Sequence, residues 1–351
     1  MPYTNIQLAN IILAGVDKVA EFSASDKVAI RGFAHTMQAI DLLEVINTHD
    51  TNGAVIDTNR DLTQPLGAIV DKPTTFAAIA KLLDDGATDL AAAGTAFTFA
   101  IPSGFHNADP VPTFDTPSGF LKFNRAMRAR VAVYTKDYAT ALTALSASFL
   151  DDTSAPIPFG LGVYFTFSTK SGDATNGLIN ANIYVHPSVA TDAMMNGATV
   201  DARFTAKVDT AAKPGASSGL SSTLAFSKLY SSPSSPVPQI RNEELLLLKA
   251  EALYFTGDKA GATAELNLVR QQSGGLPALA VAPDDTTFID ELLYERRYSL
   301  LFEGHRWIDL RRFDKPIPLD RPTDTANLRY PFPQAECDAR PGEPRCLLGS
   351  T

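Results

Sequence analysis

Acidic and basic side chains recur every three residues near the C-terminal end of the chain, at Glu303, Arg306, Asp309 and Arg312. Side chains at this spacing meet on one face of a helix, and Arg296 falls on the same side. Carboxylates beside guanidinium groups can form an acid–base site, but alternating, mutually compensating charges are typical of a structural ion-pair network. We therefore predict that these five residues form a structural network and that the chain has no catalytic site.

A serine nucleophile is the second chemistry that the sequence allows, because Gly215-Ala216-Ser217-Ser218-Gly219 matches the pattern G-x-S-x-G. That chemistry requires a sharp turn from a strand into a helix, with a histidine and an acid beside the serine. Here the motif lies in a run of small residues, and we interpret the match as chance. A secreted hydrolase that uses Ser217 stays as the lesser alternative.

Metal and cofactor motifs are absent from the sequence. The histidines are scattered, and neither H-E-x-x-H nor a glycine-rich phosphate loop occurs. Asp173, Asn176 and Asn180 carry oxygen ligands that suit calcium, but the spacing of an EF-hand is missing. We interpret this segment as a cluster of turns, expect no cofactor, and leave calcium binding open.

Ligand capture is the function that the loops suit best, because binding residues concentrate on loops that a rigid scaffold holds. Sugar sites typically present flat aromatic rings beside hydrogen-bonding groups. The candidate ligand-binding residues are Phe105, His106, Phe114, Tyr164, Tyr184 and His186. Trp307 is the single tryptophan and is predicted to be buried within the charged segment. Because the loops lack tryptophan, a peptide ligand stays as open as a glycan.

Apolar stripes at helical spacing predict the elements that hold these loops. The first helix is expected over residues 3–22, the second follows an N-cap at Ser25, and the third follows Thr74 or Thr75. In the C-terminal part, Gly257 is expected to end one helix and Asp258 to cap the next. Asp284 or Asp285 is expected to cap the last long helix.

A weak internal repeat links two of these regions, because residues 129–145 align with residues 250–266. Small residues, then an aromatic, then an aspartate before the second helix are typical of tetratricopeptide-like helix pairs. Between the repeats, residues 150–239 are rich in Gly, Ser, Pro and Thr, with short β-like runs over 163–167 and 182–185. The sequence therefore predicts a mainly α fold of tetratricopeptide-like helical pairs with a loop-rich insertion containing short strands.

Length and charge limit the remaining choices. A chain of 351 residues is long enough for one or two domains. We predict one domain over 1–351, with an N-terminal helical part (1–149), a loop-rich insertion (150–239) and a C-terminal helical part with a tail (240–351). The net charge of −9 argues against a nucleic-acid partner. No apolar run approaches the ~18 residues that a membrane-spanning helix needs.

The only two cysteines, Cys337 and Cys346, lie close together in the tail. Metal binding would need further ligands nearby, and no histidine follows His305. A local disulfide is the favoured interpretation, and it predicts an oxidising compartment. A pair of free thiols is the alternative.

Three motifs in the C-terminal part follow one another at compatible spacing. They are I-R-N-E-E-L-L-L-L-K-A-E-A (240–252), L-N-x-V-R (266–270) and E-R-R-x-x-L-x-F-E-G-x-R-W-x-D-L-R-R (295–312). Together they resemble the SusD/RagB family, and the resemblance extends over nearly all of residues 3–336. It also implies the mainly α, SusD-like architecture.

The resemblance implies a non-catalytic protein that binds an oligomeric nutrient, glycan or peptide, at the cell surface. It implies delivery to a SusC-like, TonB-dependent outer-membrane transporter. The family normally has a signal peptide and a lipidated cysteine, and neither precedes Tyr3 in this sequence. Either the chain is truncated or its start was assigned late. A helical-repeat scaffold that binds only protein is the main alternative function.

Overall fold

The computed structural model describes residues 2–59, 63–106, 113–180, 182–217, 220–318 and 325–347. Most of the secondary structure is helical. The helices are α1 (Pro2–Gly15), α2 (Ala24–His49), α3 (Lys72–Ala91), α4 (Pro117–Tyr134), α5 (Tyr138–Ser146), α6 (Ser188–Thr191), α7 (Ala202–Lys207), α8 (Asn242–Phe255), α9 (Lys259–Gln272), α10 (Asp285–Ser299), α11 (Arg306–Arg312), α12 (Gln334–Asp338) and α13 (Pro344–Leu347).

The strands are short and form separate antiparallel pairs. They are β1 (Ala54–Val55), β2 (Ile69–Val70), β3 (Gly162–Phe165), β4 (Met195–Asn196), β5 (Thr199–Val200), β6 (Asp209–Ser217), β7 (Leu220–Ala225) and β8 (Val237–Arg241). β1 pairs with β2, β3 with β8, β4 with β5, and β6 with β7. The mainly α fold with short strands is thus confirmed.

The chain divides into two compact units. Unit 1 comprises residues 1–100, 114–137 and 323–351, and unit 2 comprises residues 101–113 and 138–322. These limits differ from the predicted division at 149/150 and 239/240. The assignment of residues 1–351 to a single domain stays a prediction.

Unit 1 is built on a close approach of α2 and α3. A Cβ on Gly32 would lie 2.9 Å from the carbonyl oxygen of Gly86, and a Cβ on Gly86 would lie 3.1 Å from that of Gly32. Only residues without a side chain allow the two backbones to come this near. Asn124 of α4 joins them, since its amide donates to Thr36 at 2.7 Å and to the carbonyl of Leu83 at 3.1 Å.

Two helix starts in unit 1 differ from the predicted ones. Ser23, and not Ser25, caps α2, and it forms a capping box with Asp26. Asp71, and not Thr74 or Thr75, caps α3 by accepting from the amide of Thr74 at 2.8 Å. A proline lies in the first turn of α3, where backbone N–H groups have no partner within the helix. Because proline has no N–H, it suits this position and favours the earlier start.

Unit 2 is centred on α8, which packs against α5, α9 and α10. Leu245, Leu246, Leu247 and Leu248 are all buried, so the whole circumference of this part of α8 is inside the protein. Asp258 caps α9 and Asp284 caps α10, both as the sequence predicts.

The internal repeat is visible in the turns that end α4 and α8. Lys136 and Gly257, aligned by the repeat, both have positive φ, at 61° and 101°. The amide of Asp137 donates to the carbonyl of Ala132 at 2.9 Å, and that of Asp258 donates to Leu253 at 2.9 Å. The same turn therefore follows both helices.

The insertion contains one of the two predicted strands. β3 falls in the predicted run 163–167 and pairs with β8. Residues 182–185 form no strand: the amide of Val185 donates to the carbonyl of Leu224 at 3.0 Å, whereas that of Ile183 turns back to the carbonyl of Asn180 at 3.0 Å. The longest strand pair, β6–β7, was not predicted as strands, since its residues are mostly small and polar.

Unit 1 ends in a disulfide-closed segment that joins Cys337 of α12 to Cys346 of α13, with their Cα atoms 5.4 Å apart. Arg340 and Arg345 lie within this segment and donate to the carbonyls of Gly67 and Ile69 at 2.7 and 2.9 Å. Across the described ranges, no helix is both long enough and apolar enough to cross a membrane.

Candidate functional site

The candidate ligand site is a cavity of about 750 Å³ in unit 2, which we call the Tyr184 cavity. Its volume falls in the range typical of small-molecule sites. Three segments form its walls. The described lining residues are Leu178, Ile179, Asn180, Asn182, Ile183, Tyr184, Thr210, Ala211, Ala212, Lys213, Ala225, Phe226, Ser227, Tyr230 and Ser231.

Asparagine turns shape the first wall. Asn176 is buried, accepts from the amide of Leu178 at 2.8 Å and donates to the carbonyl of Ser235 at 2.8 Å. Asn180 accepts from the amide of Asn182 at 2.9 Å. Short polar side chains that bond to nearby backbone groups favour turns. This supports the interpretation of the segment as turns.

The hairpin β6–β7 forms the second wall and holds Tyr184 in place. The amide of Val185 bonds to Leu224, and its carbonyl accepts from Ser222 at 2.6 Å. The ring of Tyr184 then lies against Gly215, where a Cβ would come within 2.2 Å of Cε2. A glycine at this position is therefore required for the observed position of the ring.

Aromatic packing supports the third wall. Phe226 stacks on Phe302 with ring centroids 3.8 Å apart. Tyr230 is buried and donates to the carbonyl of Phe302 at 3.4 Å. Burial raises the pKa of Tyr230, so this hydroxyl stays protonated and remains a donor.

The cavity combines a half-buried aromatic ring with exposed amides and hydroxyls. Asn180, Asn182, Ser227 and Ser231 are exposed and offer both donors and acceptors. A ring face beside such groups suits a neutral, hydroxyl-rich ligand. Lys213 adds one exposed positive charge at the edge of β6.

The predicted aromatic residues from residues 97–120 do not form a binding surface. Phe105 is 5% exposed and Phe114 is fully buried, so neither ring offers a face to a ligand. Burial of both rings inside the protein does not favour the predicted ligand-binding role, which stays a prediction. His106 is exposed, and the residues that follow it, 107–112, lie outside the described chain.

The other three predicted residues lie in three different places. Tyr184 lines the cavity that bears its name. Tyr164 is half-buried on β3, and its hydroxyl donates to the carbonyl of Gly160 at 2.5 Å. His186 lies only two residues from Tyr184 but lines a second cavity of about 660 Å³, which we call the Trp307 cavity. His186 precedes the short helix α6, and its Nδ1 lies 2.7 Å from the hydroxyl of Ser188.

Three of the five predicted ion-pair residues form a buried network. Arg296 donates to Asp309 at 2.7 Å, and Arg312 contacts Asp309 at 3.1 Å and Glu251 at 2.8 Å. Burial alone would raise the pKa of Asp309, but Arg296 and Arg312 hold it below its ordinary value.

Among the described residues, Glu303 and Arg306 form no ion pair with this network, so the structure differs from the predicted ladder at these two positions. The predicted ladder needs one continuous helix, but α10 ends at Ser299 and α11 begins at Arg306. Phe302 and Gly304 have φ of 64° and 83°, which turns the chain between the two helices. Glu303 pairs with Arg241, whereas Arg306 lines the Trp307 cavity and donates to the carbonyl of Leu293 at 3.1 Å.

A second buried network escaped the sequence reasoning. Arg203 binds Asp201 at 2.6 Å and Glu295 at 2.5 Å, and Arg270 binds Glu295 at 2.7 Å. Desolvation opposes charge here, yet the two carboxylates raise the pKa of Arg203 above its ordinary value. One signal for this network is present in the sequence V-D-A-R-F (200–204), which places Asp201 two residues before Arg203.

The G-x-S-x-G match lies on a hairpin. Gly215, Ala216 and Ser217 belong to β6, and β7 begins at Leu220, so the segment leads from strand to strand and not from strand to helix. Ser218 and Gly219 lie outside the described residues. This geometry disfavours the nucleophile turn that the motif needs.

Comparisons with known proteins agree with this architecture. A family model described as SusD family matches residues 227–340. A SusD-like protein, P38, from Formosa agariphila is 37% identical over 89 residues, which span 23% of this chain and 18% of that protein.

Solved structures extend the likeness to most of the chain. A SusD-like carbohydrate-binding protein from Bacteroides vulgatus has a TM-score of 0.65 at 16% identity, and the match covers 90% of this chain and 69% of the other. A laminarin-binding SusD-like protein has a TM-score of 0.63 at 17% identity, covering 90% and 77%. At these identities the structures establish a shared fold. The family model assigns residues 227–340 to the SusD family, and beyond them the likeness is one of fold.

Proposed function

We propose that this protein is a non-catalytic glycan-binding protein that captures an oligosaccharide in the Tyr184 cavity. The observation that carries the proposal is the ring of Tyr184 beside the exposed amides of Asn180 and Asn182. A sugar ring has a C–H-rich face for the aromatic ring and hydroxyls for the amides. The likeness in fold to a laminarin-binding protein supports the same class of ligand.

Calorimetric titration with laminarin oligosaccharides and a panel of other neutral glycans tests this proposal. We expect Tyr184→Ala to weaken binding at least tenfold, about 1.4 kcal/mol, with an unchanged melting temperature. Tyr330→Ala is the matched control, because Tyr330 is 56% exposed and belongs to unit 1. Binding that survives Tyr184→Ala at full strength would place the glycan site elsewhere.

We further propose that the captured glycan passes to a SusC-like, TonB-dependent transporter at the outer membrane, so that the protein acts at the cell surface. The match of residues 227–340 to the SusD family supports this partner, and the disulfide suits an oxidising compartment. Co-purification from native membranes tests the partnership. If the transporter co-purifies but no glycan binds, the scaffold that binds only protein is favoured. If short peptides bind and glycans do not, the ligand is a peptide.

A further inference from the structure

The Trp307 cavity differs in chemistry from the Tyr184 cavity. Its walls come from the end of α10, the turn that follows, the start of α11, and residues near α6. Apolar side chains make up much of the lining: Val189, Leu300, Leu301, Phe302, Leu310 and Ile317. A hydroxyl-rich sugar would leave polar groups unpaired against such walls, which disfavours burial of a neutral glycan.

Positive charge is concentrated in the same cavity, which three arginines line. Arg296 is bound by Asp309 and Arg297 by Asp192, each at 2.7 Å. Arg306 is half-buried and, among the described residues, forms no ion pair with a carboxylate. The cavity therefore contains one guanidinium without a carboxylate at contact distance among the described residues, although the charges of Asp309 and Asp192 act on it from further away.

The surroundings of Arg306 disfavour its charge on balance. Burial, together with the nearby Arg297, lowers the pKa of Arg306, although Asp309 and Asp192 oppose the shift. A guanidinium nevertheless stays protonated in proteins. A bound anion would relieve the repulsion, and a planar carboxylate matches the guanidinium geometry with two parallel hydrogen bonds.

The surrounding polar groups are already organised. The hydroxyl of Ser188 lies 2.7 Å from both Nδ1 of His186 and Nη2 of Arg297. These contacts hold Arg297 towards Asp192 and leave Arg306 as the available cation. Trp307 completes the cavity, with the guanidinium of Arg311 4.0 Å from its ring centroid.

We propose that the Trp307 cavity binds a small amphipathic organic anion, in which one carboxylate is carried on an apolar body. Arg306 binds the carboxylate, and the leucine-rich walls with Trp307 enclose the apolar part. The same chemistry occurs in a free organic acid and at the C-terminus of a short apolar peptide. This site stands independently of glycan binding in the Tyr184 cavity.

Trp307 provides a direct probe, because it is the only tryptophan of the chain. We expect cyclohexylacetate to change its fluorescence saturably, and cyclohexylacetamide, the uncharged isostere, to bind at least tenfold more weakly. Glucuronate tests the need for an apolar body and should bind weakly. N-acetyl-leucine represents the peptide terminus, and its affinity relative to cyclohexylacetate distinguishes the two sources.

Variants at Arg306 separate this site from the glycan site. Arg306→Gln should weaken cyclohexylacetate binding at least tenfold, and Arg306→Lys should restore part of it. Arg306→Gln should leave the calorimetric titration with laminarin oligosaccharides unchanged, so that each proposal fails separately. Equal binding of the acid and its amide, or of the parent and Arg306→Gln, would overturn the anion site.

Quenching of the Trp307 fluorescence in the parent protein tests the proposal even if Arg306→Gln does not fold. Iodide should quench Trp307 more strongly than neutral acrylamide, because the guanidinium groups of Arg306 in the cavity and Arg311 beside the ring attract anions. Cyclohexylacetate should protect Trp307 from iodide. Absence of both the preference and the protection contradicts the proposal without any variant.

Discussion

The carboxylate of Glu303 is bound by Arg241, which precedes it by 62 residues, at 2.8 Å, and not by Arg306 three residues away. Arg241 also binds Glu243, and the two carboxylates together raise the pKa of Arg241 although burial opposes charge. Glu303 is paired with Arg241, and Arg306 lines the Trp307 cavity. Arg306 instead donates to the carbonyl of Leu293 at 3.1 Å.

Replacement of Asp309 should strongly destabilise the protein. Asp309→Asn removes the charge that two buried guanidinium groups share, and uncompensated buried charge typically costs ~3–5 kcal/mol. Urea unfolding measures the loss. Asp290→Asn is the control, because Asp290 pairs with Lys315 while 60% exposed, and such pairs contribute less than ~1 kcal/mol. Equal losses in the two variants would contradict a buried role for Asp309.

A methyl group at position 215 should impair glycan binding. Gly215→Ala places a Cβ within 2.2 Å of Cε2 of Tyr184, so the ring must move away from its position in the cavity. We expect a loss of affinity of about tenfold, roughly 1.4 kcal/mol, by calorimetry. Gly177→Ala is the control, since a Cβ there meets nothing within 4 Å. Unchanged affinity in Gly215→Ala would show that the position of the ring does not matter.

Glu265 should make the protein less stable as the pH rises. Burial raises the pKa of Glu265 from 4.5 to about 7, although Lys249 lies 2.6 Å from it and opposes the shift. The folded state holds the proton more tightly than the unfolded chain. The contribution of Glu265 to stability is therefore fully present below pH 4.5 and lost as the pH rises through about 7.

The variant Glu265→Gln tests this dependence. Relative to the parent, its free energy of unfolding should increase by on the order of 1–3 kcal/mol between acid and neutral pH. Asp41→Asn offers a parallel case in unit 1, because burial raises the pKa of Asp41 to about 6. A difference between parent and Glu265→Gln that stays constant with pH would exclude Glu265 as the titrating group.

The disulfide should stabilise unit 1 and the strand pair β1–β2. The chain-entropy estimate for so short a loop is about 2–3 kcal/mol at most. Replacing both Cys337 and Cys346 by serine should lower stability within that limit. It should also speed hydrogen exchange in β2, because Arg345 donates to the carbonyl of Ile69.

Thiol titration of denatured, non-reduced protein provides the direct measurement. We expect no free thiol in protein taken from its native compartment. Two free thiols would show that the disulfide does not form in that compartment. Unchanged hydrogen exchange in the double variant would show that the segment docks on β2 without the disulfide.

Local features of the fold were predictable from sequence because they depend on residues a few positions apart. Gly257 ends α8 and Asp258 caps α9, since a left-handed turn and an N-cap need only their own neighbours. Where two local signals compete, sequence is less decisive. Ser23 and Ser25 are equally good capping residues, and the partner Asp26 favours Ser23.

The candidate sites were predictable only in part. The sequence identified a loop-rich insertion as the place for a ligand, and Tyr184 within it. It could not separate Tyr184 from His186, which line different cavities because the chain between them bonds to β7 at Val185. Nor could it show that Phe105 is buried, since burial depends on what other segments place over a ring.

By itself, the sequence determined the helical pairs, the family motifs and the proximity of the two cysteines, because periodicity, caps and short spacing are local properties. Spacing predicted the contact between Asp309 and Arg312, but only tertiary structure decided which charges distant in sequence meet. Arg241 reaches Glu303 across 62 residues and Arg203 reaches Glu295 across 92. Ion pairs form where the folded backbone brings charges within contact, and no spacing rule along the chain encodes that distance.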